Sequence, residues 1–260
     1  MKTQKSSRPG ELARLLTRLA GATALASLLS ACATTTRGQV ALQQETPAGN
    51  TAPTGAAQFL GDNVSLLKPG GKDQPDWVYV APNVQWSNYK EVLLKPVEFW
   101  DTPVSSVSSD DQKMLTSYFY NALQKDLQKH GTLIEQPAPG AITITVAIIN
   151  AKAATPGLRS VSLVLPQARV LDYAQSFATG HAAFAGSAEA AFMVTDSSTG
   201  QLLAEAVDKR VGGMALKDAA PVRWGDAKAA MDYWAQKFAQ RVAVLDTGTS
   251  SSAGESKSPF

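Results

Sequence analysis

The stretch AFAGSAEAAFMVTDSSTGQLLAEAVDKRV, residues 183–211, decides the fold. Two apolar-rich runs, Ala183–Thr195 and Gln201–Val211, flank Asp196-Ser197-Ser198-Thr199-Gly200, a five-residue loop that ends in glycine. β-rich runs separated by a short loop containing glycine predict an antiparallel hairpin. Glu189 and Glu205 fall on opposite arms and are expected to face solvent, the ordinary place for a strand carboxylate.

Outward from the hairpin, residues Asp226 to Leu245 read as a helix, with Met231, Trp234, Phe238, Val242 and Leu245 at steps of three and four. A second helix is predicted from Ser109. Gln112 completes a capping box there, and Asp110 and Asp111 lie at the positive end of the helix dipole. Its apolar stripe is Met114, Leu115, Tyr118, Phe119, Ala122, Leu123 and Leu127, and His130-Gly131 supplies the stop. Tyr89 to Phe99 is β-rich, with Pro96 marking an edge or a bend. AITITVAII, residues 141–149, reads as a buried strand, and Val161–Leu165 as a short one. Helices that alternate only loosely with a hairpin-bearing sheet predict an α+β fold, with a mostly antiparallel sheet and two main helices packed on one face.

The first 31 residues have the order of a secretory signal. Lys2, Lys5, Arg8, Arg14 and Arg18 face a single acid, Glu11, before an apolar run of 11 residues from Leu19 to Leu29. A spanning helix needs roughly 20 apolar residues, so this run predicts a cleaved signal. The whole chain has 24 basic and 22 acidic residues. The leader removes 5 and 1 of these, leaving a mature net charge of about −2, which gives no basic field for nucleic acid.

Cys32 is the only cysteine, so an internal disulfide is excluded and the core must come from apolar burial. Leu29-Ser30-Ala31-Cys32 resembles the lipobox of bacterial lipoproteins, which implies a diacylglycerol on the Cys32 sulfur and an acylated new amino terminus. More than one acyl chain, at about 0.8 kcal/mol per buried CH2, gives a stable anchor. The residue after the cysteine is Ala33 and not aspartate, which by the rule for such proteins favours the outer membrane, periplasmic face, over the inner membrane. The expected organisation is therefore a signal peptide at 1–31, the lipidated cysteine and a disordered tether at 32–57, one α+β periplasmic domain at 58–246, and a disordered tail at 247–260. The tether and tail readings rest on polar, low-complexity composition, and all five tryptophans lie between them.

Catalytic and metal chemistry find little footing. A zinc site needs about four ligands, whereas the histidines are only His130 and His181, 51 residues apart. Both read as structural or surface residues. The Gly-x-Ser-x-Gly elbow is absent, since Gly186-Ser187 is followed by Glu189 where the second glycine belongs. Gly70-Gly71-Lys72 lacks the first Walker glycine and reads as a surface turn. Asp110-Asp111 is explained by the helix dipole. Trp77, Tyr79, Trp86 and Tyr89 cluster in a segment broken by Pro75 and Pro82, which is either simple packing or a binding surface. No catalytic, cofactor-binding or metal-binding residue is assigned, and Cys32 is the one site residue.

Several segments after the tether follow the order of a known family. They are Phe59-Leu60-Gly61-Asp62, Trp77-Val78-Tyr79, Tyr89-Lys90-Glu91-Val92-Leu93-Leu94-Lys95-Pro96-Val97 and Tyr118-Phe119-Tyr120-Asn121-Ala122-Leu123, then the late strand pair and the Trp-bearing final helix. Over residues 58 to 245 the chain resembles the uncharacterised Gram-negative lipoprotein family called domain of unknown function 3313. That resemblance implies a membrane-attached α+β domain and brings no catalytic residues with it. The expected role is a non-enzymatic domain, anchored to the membrane by its N-terminal lipid, that binds an envelope protein partner or assists an envelope complex. The alternative is a small-ligand carrier or a hydrolase with an unrecognised site.

Overall fold

The computed structural model describes residues 35–45, 51–100, 107–154, 185–212 and 223–247. In chain order the strands are β1 (Thr35–Arg37), β2 (Gln43–Glu45), β3 (Thr51–Pro53), β4 (Lys68–Pro69), β5 (Trp77–Val80), β6 (Glu91–Leu94), β7 (Glu98–Phe99), β8 (Thr132–Leu133), β9 (Ala141–Lys152), β10 (Ser187–Asp196) and β11 (Leu202–Gly212). The helices are α1 (Gly55–Leu60), α2 (Ser109–Leu127) and α3 (Gly225–Thr247), with 3-10 turns at Gly61–Leu66 and Trp86–Asn88. Nine strands form one mixed sheet in the order β4-β5-β11-β10-β9-β6-β8, with β1 beside β11 and β7 beside β9; β2 and β3 pair separately. The fold is α+β. Pairings among β1, β4, β5, β9, β10 and β11 are antiparallel, whereas β6 runs parallel to β8 and β9, and β7 parallel to β9.

The hairpin forms as its sequence predicts. Val194 to Ser187 pairs with Ala204 to Val211, and Gly200 takes φ 72°, a conformation that glycine adopts without steric cost. In the turn, Asp196 Oδ1 accepts from the backbone and hydroxyl of both Ser198 and Thr199 at 2.8–3.0 Å. Pro96 breaks the β-rich run 89–99 into β6 and β7, because proline cannot supply a ladder N–H. The predicted strand Val161–Leu165 lies outside the described residues.

Side-chain alternation sorts the central strands onto two faces. Ile142, Ile144, Val146 and Ile148 of β9, Phe192 and Val194 of β10, and Ala204 and Ala206 of β11 pack with α2 and α3. Phe119, Phe192, Trp234 and Phe238 form an aromatic cluster there. Phe119 meets Phe192 edge-on with centroids 6.3 Å apart, and Phe192 meets Trp234 edge-on at 5.7 Å. Such pairs are each worth ~0.5–1.5 kcal/mol beyond their burial. Tyr118 on α2 donates to both Asp232 oxygens on α3, at 2.9 and 3.0 Å, and ties the two helices together.

The opposite face is also covered. Ala147, Ile149, Ala191 and Val207 pack with Ala56 and Leu60 of α1, with Leu67, and with Val40. This corrects the expected position of Glu189 and Glu205. Both are buried, Glu205 to 1% exposure, because the hairpin strands are covered on both sides. Capping of α2 also shifts by one residue: Ser108 accepts from Asp111 N, while Gln112 reaches Val107 O.

The described part of the expected tether, residues 35–45 and 51–57, is likewise not featureless. β1 pairs with Gly212, Val211 and Arg210, the Val40 carbonyl accepts from Trp77 Nε1 at 2.9 Å, and Thr54 caps α1. Composition missed this because β1 is held by backbone hydrogen bonds and one arginine, with no apolar stripe to read. Removing β1 exposes the β11 edge and strips Asp76 of its arginine. A chain starting at Gln58 is expected to be less stable than one starting at Ala33 by roughly 2 kcal/mol or more in urea denaturation. Coincident melts would make β1 dispensable.

Candidate functional site

Asp208 and Arg210 interrupt the small apolar face of β11 two residues apart, so both point toward α3. Their neighbours on that face are Ala204 and Ala206, which leave room for a polar group under the helix. Asp208 Oδ2 accepts from Arg210 Nε and from Trp234 Nε1, both at 2.8 Å, and its Oδ1 accepts from Asp76 N at 3.2 Å. Arg210 Nη2 donates to the Tyr233 hydroxyl at 2.9 Å, and the guanidinium carbon lies 3.9 Å from the Tyr233 ring centre. A charge buried this deeply is tolerable only with partners, and each of these groups has them.

The next layer ties β1 and the β4–β5 turn to the same point. Arg37 Nε pairs with Asp76, and the guanidinium also donates to Gly71 O at 2.8 Å, Pro75 O at 3.1 Å and Gly70 O at 3.4 Å. Gly70 is forced by this closeness, since a Cβ there would stand 1.9 Å from Pro75 O. Gly70-Gly71, read from sequence as a surface turn, begins the connection between the antiparallel strands β4 and β5. Burial raises the Asp76 pKa above the ordinary carboxylate value; the Arg37 bond opposes this and the nearby Asp208 charge adds to it. On the far face, Glu189 meets Lys209 at 3.8 Å, and burial raises its pKa against that partner.

Between the turn, β10, β11 and α3 lies a small cleft with an interior of about 40 Å³, open to solvent on one side. Phe192, Trp234 and Phe238 form its apolar lining, while Asp73, Lys237 and Arg241 are among its polar residues. Arg241 Nη2 donates to Asp73 O at 3.3 Å, and burial lowers its pKa. Chemically the cleft offers guanidinium and ammonium groups beside aromatic rings, an arrangement that suits a small anionic group. Among the described residues, none that lines it is a serine, cysteine or histidine. Among the described residues no three His, Cys, Asp or Glu side chains gather as a metal site, and no helix is long and apolar enough to cross a membrane.

The residues singled out by sequence scatter. Cys32 and His181 lie outside the described residues. His130 is exposed just beyond the α2 C-terminus, with its backbone N–H on Leu127 O at 3.0 Å. Trp77 and Tyr79 belong to the α1 side of the sheet, whereas Trp86 and Tyr89 pack on the α2–α3 side, with ring centres 6.2 Å apart. Trp234 is core, as its stripe suggests, and is also a buried donor. Arg37, Asp76, Asp208 and Arg210 were missed. The signal for two of them was present, an acid and an arginine at period two on a small-residue strand face; only the tertiary structure brings in the other two.

Fold and site together define an α+β domain with a polar-bridged cleft where α3 meets its sheet. Residues 56–238 match the family described as protein of unknown function DUF3313, and the chain belongs to that family. No curated protein matches it. Among solved structures it is similar to a single-site variant of the PelC dodecamer of Paraburkholderia phytofirmans, at 11% identity and a TM-score of 0.35, covering 61% of this chain and 93% of that one. A hypothetical protein from Chlamydia trachomatis gives 11% and 0.34, covering 60% and 99%. A protein of family DUF330 from Xanthomonas campestris gives 12% and 0.34, covering 66% and 94%.

The side chains of Asp208 and Arg210 are 2% and 10% exposed, so breaking that pair leaves a buried cation. Asp208→Ala is expected to cost about 3–5 kcal/mol in urea denaturation. Trp234→Phe, which keeps the ring packing and loses one donor, is expected to cost about 1–2 kcal/mol. Equal losses in the two variants would show that the carboxylate does not organise the seam.

Proposed function

We propose that this chain is a lipoprotein anchored through Cys32 at the periplasmic face of the outer membrane. It acts as a non-enzymatic domain that binds an envelope protein partner at the cleft between α3 and the β4–β5 turn. The observation that carries this reading is the mutual commitment of the charged groups beneath the cleft. Asp208 is bonded to Arg210, Trp234 and the Asp76 backbone, and Arg37 to Asp76 and three carbonyls. Groups held this way make a preorganised surface. Lys237 and Arg241 add positive charge to that surface.

A small-ligand carrier is the second reading. The aromatic rings beside Lys237 and Arg241 favour it, and the cleft's interior of about 40 Å³ limits the ligand to a small group.

One measurement tests the anchor, and a second separates the two readings of the cleft. Cys32→Ala is expected to abolish acyl labelling and leave uncut precursor; normal processing would refute the anchor. A photocrosslinking residue at position 237 of the full-length protein, in its native envelope, is expected to capture one protein adduct, and Arg241→Glu in the same chain to reduce it at least about tenfold, the scale of one lost charged contact. An adduct unaffected by Arg241→Glu, or only a small-molecule adduct, would remove partner binding from the cleft.

A further inference from the structure

Glu205 presents a separate problem on the α1 side of the sheet. It sits at the middle of β11, opposite Met193 of β10 and Tyr79 of β5, and is 1% exposed. Both carboxyl oxygens are buried without a hydrogen-bond partner. Asn63, from the 3-10 turn that follows α1, stands near enough to favour ionisation, against the larger effect of burial, but completes no bond to either oxygen. An ionised carboxylate in such a place would cost several kcal/mol, so either it keeps its proton or water must reach it.

The route for water is the cover itself. The turn Gly61–Leu66 contains no buried residue, and the cover packs on the sheet mainly through Ala56, Leu60 and Leu67. Other polar groups on this side do not compensate the charge. Tyr79 lies opposite in register, Asp62 is exposed on the turn, and Lys209 and Glu189 pair with each other two side-chain positions along the same face.

We propose that Glu205 is a proton-operated latch. With its carboxyl neutral, the segment Gly55–Leu67 lies closed on the sheet; on ionisation that segment lifts and admits water, while the α2–α3 side stays packed. The device is independent of the cleft and of the function proposed for it.

Burial raises the Glu205 pKa from its ordinary 4.5 to about 7. The closed state therefore binds the proton more tightly than the open one. Closure is favoured fully below pH 4.5, weakens as pH rises, and levels off above about 7. Hydrogen exchange of the full chain, expressed as protection factors corrected for intrinsic rate, reads this directly. Protection of amides 55–67 is expected to fall at least about tenfold between pH 5 and 7, with the amides of β9 and α2 unchanged. Glu205→Gln should make protection of 55–67 independent of pH. Should that variant fail to fold, the side-chain carboxyl 13C titration of the unaltered protein decides: a midpoint near 7 supports the latch. A midpoint near 4.5, flat protection in the unaltered chain, or the same slope in Glu205→Gln would each overturn it.

Discussion

The structure depends on one constraint: the three central strands are too apolar to leave either face in water. Ala141, Ile142, Ile144, Val146, Ala147, Ile148 and Ile149 are all buried on β9, as are Ala190, Ala191, Phe192 and Val194 on β10. At about 25 cal/mol per Å² of apolar surface, exposing one side would cost more than the net stability of an ordinary domain. Two long helices cover one face. The described chain before β4 covers the other with α1, a 3-10 turn and Val40. The less regular side of the molecule is thus a consequence of the same burial that makes the regular side.

Where small residues leave space beneath α3, the protein fills it with charge instead of bulk. Ala204 and Ala206 admit Asp208 and Arg210, and the indole N–H of Trp234 completes the set. This arrangement gives the last helix a fixed position along the strand, because a slide of one residue would orphan a buried carboxylate. Asp226 works in the same manner at the start of α3. It accepts from Gly186 N at 2.7 Å, and Gly212 has no Cβ because one would sit 2.3 Å from the Asp226 carboxyl carbon. Helix and hairpin are pinned at both places, and the cleft inherits its shape from that pinning. Glu205, on the opposite face, has no such partners, and the contrast between the two buried carboxylates separates a fixed joint from a movable cover.

Much of this could be read locally. The hairpin, the two long helices and the buried β9 strand follow from periodicity, loop chemistry and capping residues, all of which act within a few positions of the chain. The α+β class followed from their order. The run that becomes β6 and β7 was legible as β, but its parallel pairing and the two-residue β8 were not, because so short a strand carries too little pattern and a parallel partner is chosen by the whole sheet. The burial of Glu189 and Glu205 was misread for a related reason. Whether a strand face is dry depends on what lies over it, and here the covering segment is more than a hundred residues away in sequence.

The sequence by itself determined the elements and their amphipathic faces, since these depend on residue spacing and backbone preference alone. It also carried the family resemblance over the domain. Tertiary structure alone decided which charges meet. Arg37, Asp76, Asp208 and Trp234 come from four distant parts of the chain, and no local rule pairs them. Their union rests on desolvation: once the sheet and α3 exclude water, each buried charge must find a partner among the groups the fold places beside it.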